Sequence, residues 1–250
     1  LFLQIGFLLC GLGLFAIIIN QTINEESKPM QMQTRYLKSR RKMADYTFKV
    51  LKPVTNKKLL KEVMKGRFKG YRVHTLTLEE RATCPATCHH LATCYGNNMP
   101  FAHRLEHGPE LIAKIDSELK ARHDKLTLVR LHVLGDFWSV EYVEQWGQWL
   151  DDHPNLAAWG YTHNWPDSII PLERDIGQAI QRVKDRHPDR FRIRWSDRPD
   201  LPDSANSEAL AQPVKGESLI CPEQEGKTGG CGDCVLCWEM PARNIIFKTH

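Results

Sequence analysis

The sequence lacks a dense basic stripe, although its net charge is slightly positive. It has 34 Lys and Arg residues against 30 Asp and Glu residues, which gives a net charge of +4. A dedicated nucleic-acid-binding domain usually concentrates its basic residues on one face or along one helix. The composition therefore gives no strong sign of a nucleic-acid partner. The chain also has no internal repeat and no low-complexity tract.

Cysteine is missing from the middle of the chain, over the 126 residues that separate Cys94 from Cys221. Apart from Cys10, the cysteines fall into two tight groups. The early cysteine set is Cys84, Cys88 and Cys94, and the late cysteine set is Cys221, Cys231, Cys234 and Cys237. A secreted disulfide framework distributes its cysteines through a short chain. The distribution argues against such a framework and favours metal ligation in the cytoplasm.

The first 19 residues, LFLQIGFLLCGLGLFAIII, lack the basic n-region and the cleavage site of a signal peptide. They are long enough to cross a bilayer as a helix. In one hypothesis they anchor the protein, and the basic tract RYLKSRRK keeps the remainder on the cytoplasmic side. In the other, which we favour, residues 1–42 are upstream sequence translated in a predicted open reading frame, and the protein starts at Met43. Membrane contact is expected only if residues 1–19 are native.

Residues 43–250 are predicted to form a single α/β metal-binding domain. Segments rich in β-branched and aromatic residues alternate with amphipathic segments of helical period. We predict strands at 71–78, 127–135, 155–163, 190–197, 217–221 and 243–250, and helices at 56–68, 109–123, 139–153 and 167–188. The section 198–216 is expected to be irregular, with at most one short helix near 206–211. This alternation favours a partial (βα) barrel of about six mainly parallel strands, with cysteine-rich loops at its C-terminal face.

Polar residues stand where the predicted strands end. In a parallel α/β fold these ends lie on one face, where such folds place their chemistry. They include Cys84, Gly135, Asp136, His163, Asp197 and Cys221. We take His132, Tyr161, His163 and Asp197 as candidates for substrate contacts, without assigned roles.

The two cysteine sets differ in the ligands that they offer. The late set contains a C-x2-C-x2-C run, which is typical of ferredoxin-type cluster loops, and Cys221 completes four thiolates. A four-thiolate Zn²⁺ site stays open as an alternative. The early set supplies three thiolates, which would leave one iron of a [4Fe–4S] cluster open. His89, His90 or Cys221 are alternative fourth ligands.

Three motifs carry a resemblance to a known family. The segments ATCPATCHHLATCYG, LHVLGDFWSVEYVEQW and ICPEQ with GGCGDCVLCW are similar to those of uncharacterised phage and plasmid proteins. The founding member of that family is a phage gene product numbered 88. The resemblance covers about residues 70 to 250, and it implies a phage or plasmid origin but no activity.

The pattern more broadly resembles the radical S-adenosylmethionine (SAM) superfamily of βα-barrel enzymes. The resemblance implies a [4Fe–4S] cluster on the early set, a contact from Gly135 and Asp136 to the amino group of SAM, and a second cluster on the late set. It further implies an electron donor, cleavage of SAM to a deoxyadenosyl radical, and a small-molecule or nucleotide substrate that the sequence does not identify. The chain departs from the common C-x3-C-x2-C spacing with C-x3-C-x5-C, and from a Gly-Gly-Glu-type motif with Gly135-Asp136.

A non-enzymatic protein is the alternative hypothesis. In that interpretation both cysteine sets are structural, and zinc ions or clusters staple a binding protein together. The sequence leaves open which metal is bound and whether the chain is an enzyme.

Overall fold

The structure is a computed structural model of the chain, and it describes residues 40–41, 49–99, 101–239 and 243–248. The predicted apolar segment 1–19 and the expected start at Met43 lie outside these residues. All described residues belong to one compact unit. Within them, no helix combines the length and the hydropathy that a bilayer-crossing segment needs.

The described residues form ten strands and six α-helices. The strands are β1 (Arg40–Arg41), β2 (Lys52–Pro53), β3 (Arg72–Thr75), β4 (Arg104–Leu105), β5 (Thr127–Leu131), β6 (Leu156–Thr162), β7 (Phe191–Ser196), β8 (Ser204–Ser207), β9 (Ser218–Ile220) and β10 (Asn244–Phe247). The helices are α1 (Glu80–Thr83), α2 (Pro109–Lys120), α3 (Val140–Asp152), α4 (Pro171–Arg186), α5 (Cys231–Cys234) and α6 (Leu236–Glu239), and a 3-10 helix spans Tyr95–Asn98.

Eight strands form one sheet in the order β2-β3-β5-β6-β7-β8-β10-β9. Strand β2 runs antiparallel to β3, and the remaining neighbours are parallel. A separate parallel pair joins β1 to β4. The predicted mixed α/β fold with a mainly parallel sheet is confirmed. The strand order is linear over the described residues, so the sheet is open between its edges β2 and β9.

The two faces of the sheet pack against different parts of the chain. Helices α2, α3 and α4 cover one face and bury the larger apolar cluster, which includes Val129 and Ile193. The opposite face carries Leu128 and Trp159, and the segment 54–71 and the C-terminal cysteine loop cover it. The rings of Trp159 and Trp238 lie 4.7 Å apart, centroid to centroid. Because strand side chains alternate between faces, this packing holds the late cysteine set against the second face.

The predicted helix at 56–68 is wrong, because this segment forms turns. Its main-chain groups bond to other parts of the chain rather than to one another along a helix. Val63 N donates to Tyr71 O at 3.0 Å, and Met64 N donates to Gly232 O at 2.9 Å. Leu60 has a φ of 62°. The segment therefore connects the residue before strand β3 to the loop of the late cysteine set through main-chain hydrogen bonds.

The section 198–216, expected to be irregular with at most one short helix, contains strand β8 instead. Ser204–Ser207 pairs with β7 on one side and β10 on the other. Its sequence, SANS, contains no β-branched or aromatic residue, so local propensity gives no strand signal there. The six predicted strands correspond to β3, β5, β6, β7, β9 and β10, and the three longer predicted helices to α2, α3 and α4.

Ser139 is the N-cap of helix α3. Ser139 Oγ accepts a hydrogen bond from Tyr142 N at 3.2 Å, which satisfies one of the free donors of the first turn. Helix α4 begins at Pro171, later than the predicted start at 167, since proline favours the first helical position.

Candidate metal centre

The early cysteine set lies on the loop that follows β3. Cys84 caps the C-terminus of α1, and Cys94 precedes the 3-10 helix, where its Sγ accepts from Gly96 N at 3.4 Å. Cys88 lies between them in a run of turns. All three thiols are unpaired and partly exposed. The loop thus presents three free sulfurs beside the C-terminal ends of the strands.

A buried arginine fixes this loop. The guanidinium of Arg104 donates to Glu80 Oε2 at 2.8 Å and to the carbonyl oxygens of Gly96 and Met99, both at 3.0 Å. The Arg104 and Glu80 side chains are 0% and 1% exposed. A buried ion pair is stable only when such additional hydrogen bonds satisfy both partners. The pair therefore holds both ends of the loop in place.

Gly135 lies directly beneath the loop. Its φ is +86°, and a Cβ there would lie 2.6 Å from both Leu78 Cβ and Thr83 Oγ1. Only glycine fits this conformation and this space. The close approach lets the segment after β5 pass against Leu78 and Thr83 and brings Asp136 to the loop.

Asp136 joins the loops that follow β5 and β6. Its carboxylate accepts from Phe137 N and Thr162 Oγ1, both at 2.7 Å, and from His163 N at 2.8 Å. Asp136 is 3% exposed, and burial raises its pKa against the effect of these bonds. A carboxylate offers about four acceptor sites, so these three hydrogen bonds do not exclude the predicted contact with the amino group of SAM.

The thiols of the early set are costly to ionise together. Burial raises the pKa of Cys84, and neighbouring Asp136 and Cys88 raise it further. Burial also raises the pKa of Cys94. Thiolates are the metal-binding form of cysteine, so a bound cation would offset this cost and would release protons on binding.

The late cysteine set lines a small cavity at the end of β9. Cys221 follows that strand, Cys231 and Cys234 bound α5, and Cys237 lies in α6; all four face the cavity. The main chain is tied to two other segments. Cys231 N donates to Lys58 O at 2.7 Å, and Cys221 N donates to Ile246 O at 2.8 Å. Segments distant in sequence therefore assemble the four sulfurs.

Arg194 supports the late set from the sheet. Its guanidinium donates to the carbonyl oxygens of Leu236 and Cys237, both at 3.1 Å, and lies 3.2 Å from a carboxylate oxygen of Asp203. Arg194 is 1% exposed, so it fixes the loop rather than facing solvent. Burial raises the pKa of Cys231 to about 12.

Strand β6 connects the two cysteine sets. Tyr161 lies near the C-terminal end of β6, and His163 is the first residue after that strand. The Tyr161 hydroxyl donates to Cys237 Sγ at 3.1 Å. The imidazole of His163 lies close enough to Cys88 for that cysteine to raise its pKa. Both sets therefore lie at the C-terminal edge of the sheet.

A histidine–aspartate cluster lies beside Cys88. His90 Nε2, His89 Nε2 and His163 Nε2 are 2.5, 3.4 and 3.6 Å from Asp197 Oδ2. Burial opposes charge on His163, but Asp197 and Cys88 outweigh it and raise its pKa to about 10. Nearby His163, the hydrogen bond from the Ser207 amide and the hydrogen bond with His90 lower the pKa of Asp197 against the effect of burial.

Sequence reasoning treated these residues separately. The sequence offers His89 or His90 as a fourth cluster ligand and His163 and Asp197 as candidates for substrate contacts. The signal for the cluster was a histidine pair in the loop after β3 together with polar residues directly after two neighbouring parallel strands. Their grouping depends on β6 and β7 being adjacent, which the sequence does not state.

His132 lies apart from this group. Its Nε2 is 3.1 Å from the Tyr142 hydroxyl, and its ring packs 4.9 Å from that of Phe137. His132 is 4% exposed, and burial lowers its pKa to about 3. Its described contacts are therefore with aromatic residues of the core, whereas Tyr161, His163 and Asp197 are beside the thiols.

Comparison with known proteins gives two matches. The sequence profile of a family described as gene product 88 matches residues 48–172, half of the 250-residue chain. The gene 88 protein of Mycobacterium phage L5 is 27% identical over 143 residues, which cover 49% of this chain and 54% of the phage protein. The chain spans about half the length of the curated relative that it matches. No solved structure matches the chain.

Proposed function

This chain belongs to the gene product 88 family, and we propose that it is an iron–sulfur protein of phage or plasmid origin, acting as a divergent radical-SAM-type enzyme. The observation that carries the proposal is the meeting of two separate thiol sets at one edge of a parallel sheet. Tyr161, near the end of β6, bonds to the late set, and His163, directly after that strand, lies beside Cys88 of the early set. Parallel α/β folds place their chemistry at this edge.

The spacing of the thiols favours clusters over single ions. Four sulfurs around one Zn²⁺ lie about 3.8 Å apart, given a Zn–S bond of about 2.3 Å. Among the described residues, a single group of three or more potential ligands lies within 4.8 Å, and it is the histidine–aspartate cluster. The thiols of each set are therefore further apart than one ion requires. A cluster places irons and sulfides between the cysteines, so it suits wider spacing.

The early set supplies the reactive position in this proposal. Three thiolates would hold a cluster and leave one iron free for SAM, and the reduced cluster would supply the electron that cleaves SAM. Gly135 lets the main chain approach this loop, and Asp136 holds Thr162 and His163 in place around it. The proposal includes curvature of the sheet into a partial barrel, with Arg130, Tyr161 and Arg194 on the inner side.

The remaining parts of the proposal concern partners and compartment. Seven unpaired cysteines fit the reducing cytoplasm. A radical-SAM-type reaction needs an electron donor, and the substrate is a small molecule or a nucleotide.

A second candidate function is a non-enzymatic binding protein in which metal is only structural. The late set favours it, because four thiolates contributed by distant segments match the ligand number of a closed structural zinc site. In that case a metal ion bound by the late set would hold the 54–71 segment against the end of the sheet.

Metal content separates these candidates. Full-length protein prepared without oxygen is expected to be brown and to carry about four irons and four acid-labile sulfides per occupied [4Fe–4S] set. Colourless protein with two zinc ions would support the binding protein instead. Replacing the early set with serine should remove one cluster and leave the late one, and the reverse replacement should leave the early one.

SAM cleavage tests the enzymatic part. The reduced wild-type protein is expected to release 5′-deoxyadenosine from SAM, and the variant without the early set is expected to release none. The variant without the late set serves as the matched comparison. An intact early cluster with no cleavage would contradict the enzymatic proposal and leave an electron-transfer or structural role.

A further inference from the structure

We propose that the histidine–aspartate cluster, formed by His89, His90, His163 and Asp197, binds a divalent first-row transition ion. Each of the four residues offers one ligand atom, an imidazole nitrogen or a carboxylate oxygen, and these atoms all lie within 4.8 Å of one another. The site is separate from the cysteine sets, and the proposal stands whether those sets hold iron–sulfur clusters or zinc.

Direct hydrogen bonding accounts for only part of this arrangement. His90 Nε2 lies 2.5 Å from Asp197 Oδ2, which is a hydrogen-bond distance. His163 Nε2 lies 3.6 Å from the same oxygen, beyond hydrogen-bond reach, and is buried without a hydrogen-bond partner within range. A buried polar atom without a partner is costly, and a bound ion would satisfy His163 Nε2.

The longer distances match those between ligands of one ion. With metal–nitrogen and metal–oxygen bonds of about 2.1 Å, tetrahedral ligands lie about 3.4 Å apart. His89 and His163 are 3.4 and 3.6 Å from Asp197 Oδ2. His90 would have to move away from the carboxylate by about 1 Å to reach the same spacing. Its side chain is 40% exposed and has space to do so.

The surrounding structure orients the buried ligands. Asp197 Oδ1 accepts from Ser207 N at 2.7 Å, and Asp197 N donates to Ala205 O at 3.0 Å, which leaves Oδ2 facing the imidazoles. The main chain of His163 is held by Asp136. Metal ligands are usually oriented by such outer hydrogen bonds.

The donor set indicates the kind of ion. Imidazole nitrogen with one carboxylate suits zinc and divalent iron rather than calcium or magnesium, which prefer oxygen alone. The side chains of His89 and His90 are 46% and 40% exposed, so solvent or a ligand can reach the ion from that side. The geometry therefore fits a site with an accessible coordination position.

Zinc binding by matched variants tests the proposal. The Asp197→Asn variant keeps an oxygen that can accept from Ser207 N. The double variant His89→Asn with His90→Asn changes only partly exposed side chains. His123→Asn is the control, because His123 is exposed and precedes β5, at the opposite edge of the sheet. After equilibration with Zn²⁺ and removal of loose metal, wild type and control are expected to retain one more zinc per chain than either test variant.

The outcomes are separable because every protein contains the same cysteines. Iron and sulfide content is expected to be equal in all of them, and zinc affinity at the site is expected to fall at least tenfold in the test variants. Equal zinc content in all proteins would overturn the proposal. Loss of iron from the double histidine variant would also overturn it, because the histidines would then be cluster ligands.

Cobalt gives a second measurement that does not depend on metal counts. The spectrum of Co²⁺-loaded wild type minus that of Co²⁺-loaded Asp197→Asn is expected to contain ligand-field bands without a sulfur-to-cobalt charge-transfer band. A charge-transfer band in this difference would show that Cys88 is a ligand. The site would then be an extension of the early set, contrary to the proposal.

Discussion

The hydroxyl of Tyr161 donates a hydrogen bond to the sulfur of Cys237 at 3.1 Å. Arg130 lies over the same ring, 4.5 Å from its centroid. Two residues later, directly after the end of β6, His163 lies beside Cys88 of the early set. One strand therefore positions a side chain at each thiol set, and Tyr161 tunes the sulfur of Cys237 directly.

Removing this hydroxyl is expected to weaken metal binding by the late set. Tyr161→Phe deletes a hydrogen bond that lowers the pKa of Cys237 against the larger effect of burial. Losing one hydrogen bond to a metal ligand is worth about 1 kcal/mol, or about fivefold in metal retention. The measurement is the rate of metal loss to a chelator, monitored separately for each set in the serine backgrounds.

Tyr71→Phe is the matched control for this change. Tyr71 packs its ring against Phe68 at the border of the apolar cluster on the second face of the sheet. It has no described bond to a cysteine. Equal rates of metal loss in the two variants would mean that the Tyr161 hydroxyl does not act on the late set.

Local sequence patterns predicted the regular parts of this fold. The β-branched run of β5 and the Ser139 cap of α3 were both readable, since propensity and capping act over a few residues. The parallel sheet followed from their alternation. Strand β8 was not readable, because its pairing with β7 and β10 comes from tertiary contacts and its residues have no strand preference.

The candidate site was predicted as a set of residues but not as a geometry. The thiols and the polar residues at strand ends were identified from spacing and position. The burial of Asp136 under three hydrogen bonds depends on how the loops after β5 and β6 meet, and the sequence does not specify that. The contact of Asp197 with the histidines likewise depends on strand order.

Gly135→Ala is expected to destabilise the protein through the early loop. Its added Cβ would meet Leu78 and Thr83 at 2.6 Å, and φ is +86°. We expect the clash to lower the free energy of unfolding by about 1–3 kcal/mol, and the backbone conformation to lower it by about 1 kcal/mol more. Chemical denaturation measures the free energy of unfolding, and metal analysis should show that the early set loses occupancy first.

Gly216→Ala isolates the backbone part of this cost. Gly216 has a similar φ of +91°, and no atom lies within 4 Å of the Cβ position. The Gly216→Ala variant is expected to lower the free energy of unfolding by only about 1 kcal/mol. Equal decreases in the free energy of unfolding for the two variants would contradict the close contact between the segment after β5 and the loop.

Arg104→Lys is expected to loosen the early loop strongly. Lysine cannot reproduce the forked contacts of Arg104 with Glu80 and the carbonyl oxygens of Gly96 and Met99. Disrupting a buried pair of this kind costs about 3–5 kcal/mol. Unfolding measurements and metal content of each set would test this, with the early set affected and the late set retained.

An exposed ion pair provides the comparison. Arg182 contacts Glu144 at 3.0 Å, with side chains 57% and 38% exposed. Arg182→Lys should change stability by less than about 1 kcal/mol, because exposed pairs contribute little. A comparable loss in both variants would argue against a special role for Arg104.

The stability of the protein is expected to fall as pH decreases from about 6.5 towards 3. Burial lowers the pKa of His132 to about 3 and that of His74 to about 4. In the folded protein each stays neutral until the pH approaches its own lowered pKa, whereas the unfolded chain takes up protons near pH 6.5. Their contribution is therefore fully present above pH 6.5 and is lost as pH falls through the folded values.

His132→Gln tests this prediction, because glutamine can still bond the Tyr142 hydroxyl but does not titrate. Each buried histidine adds up to about 1.4 kcal/mol per pH unit to the slope of the free energy of unfolding against pH. The slope for the variant should therefore be smaller by about that amount. His163, whose pKa is raised to about 10, contributes stability that is present below pH 6.5 and is lost as pH rises towards 10. It adds no slope between pH 3 and 6.5, so a series of denaturation curves in that range isolates His132. Identical slopes for wild type and variant would mean that His132 titrates normally in the folded protein.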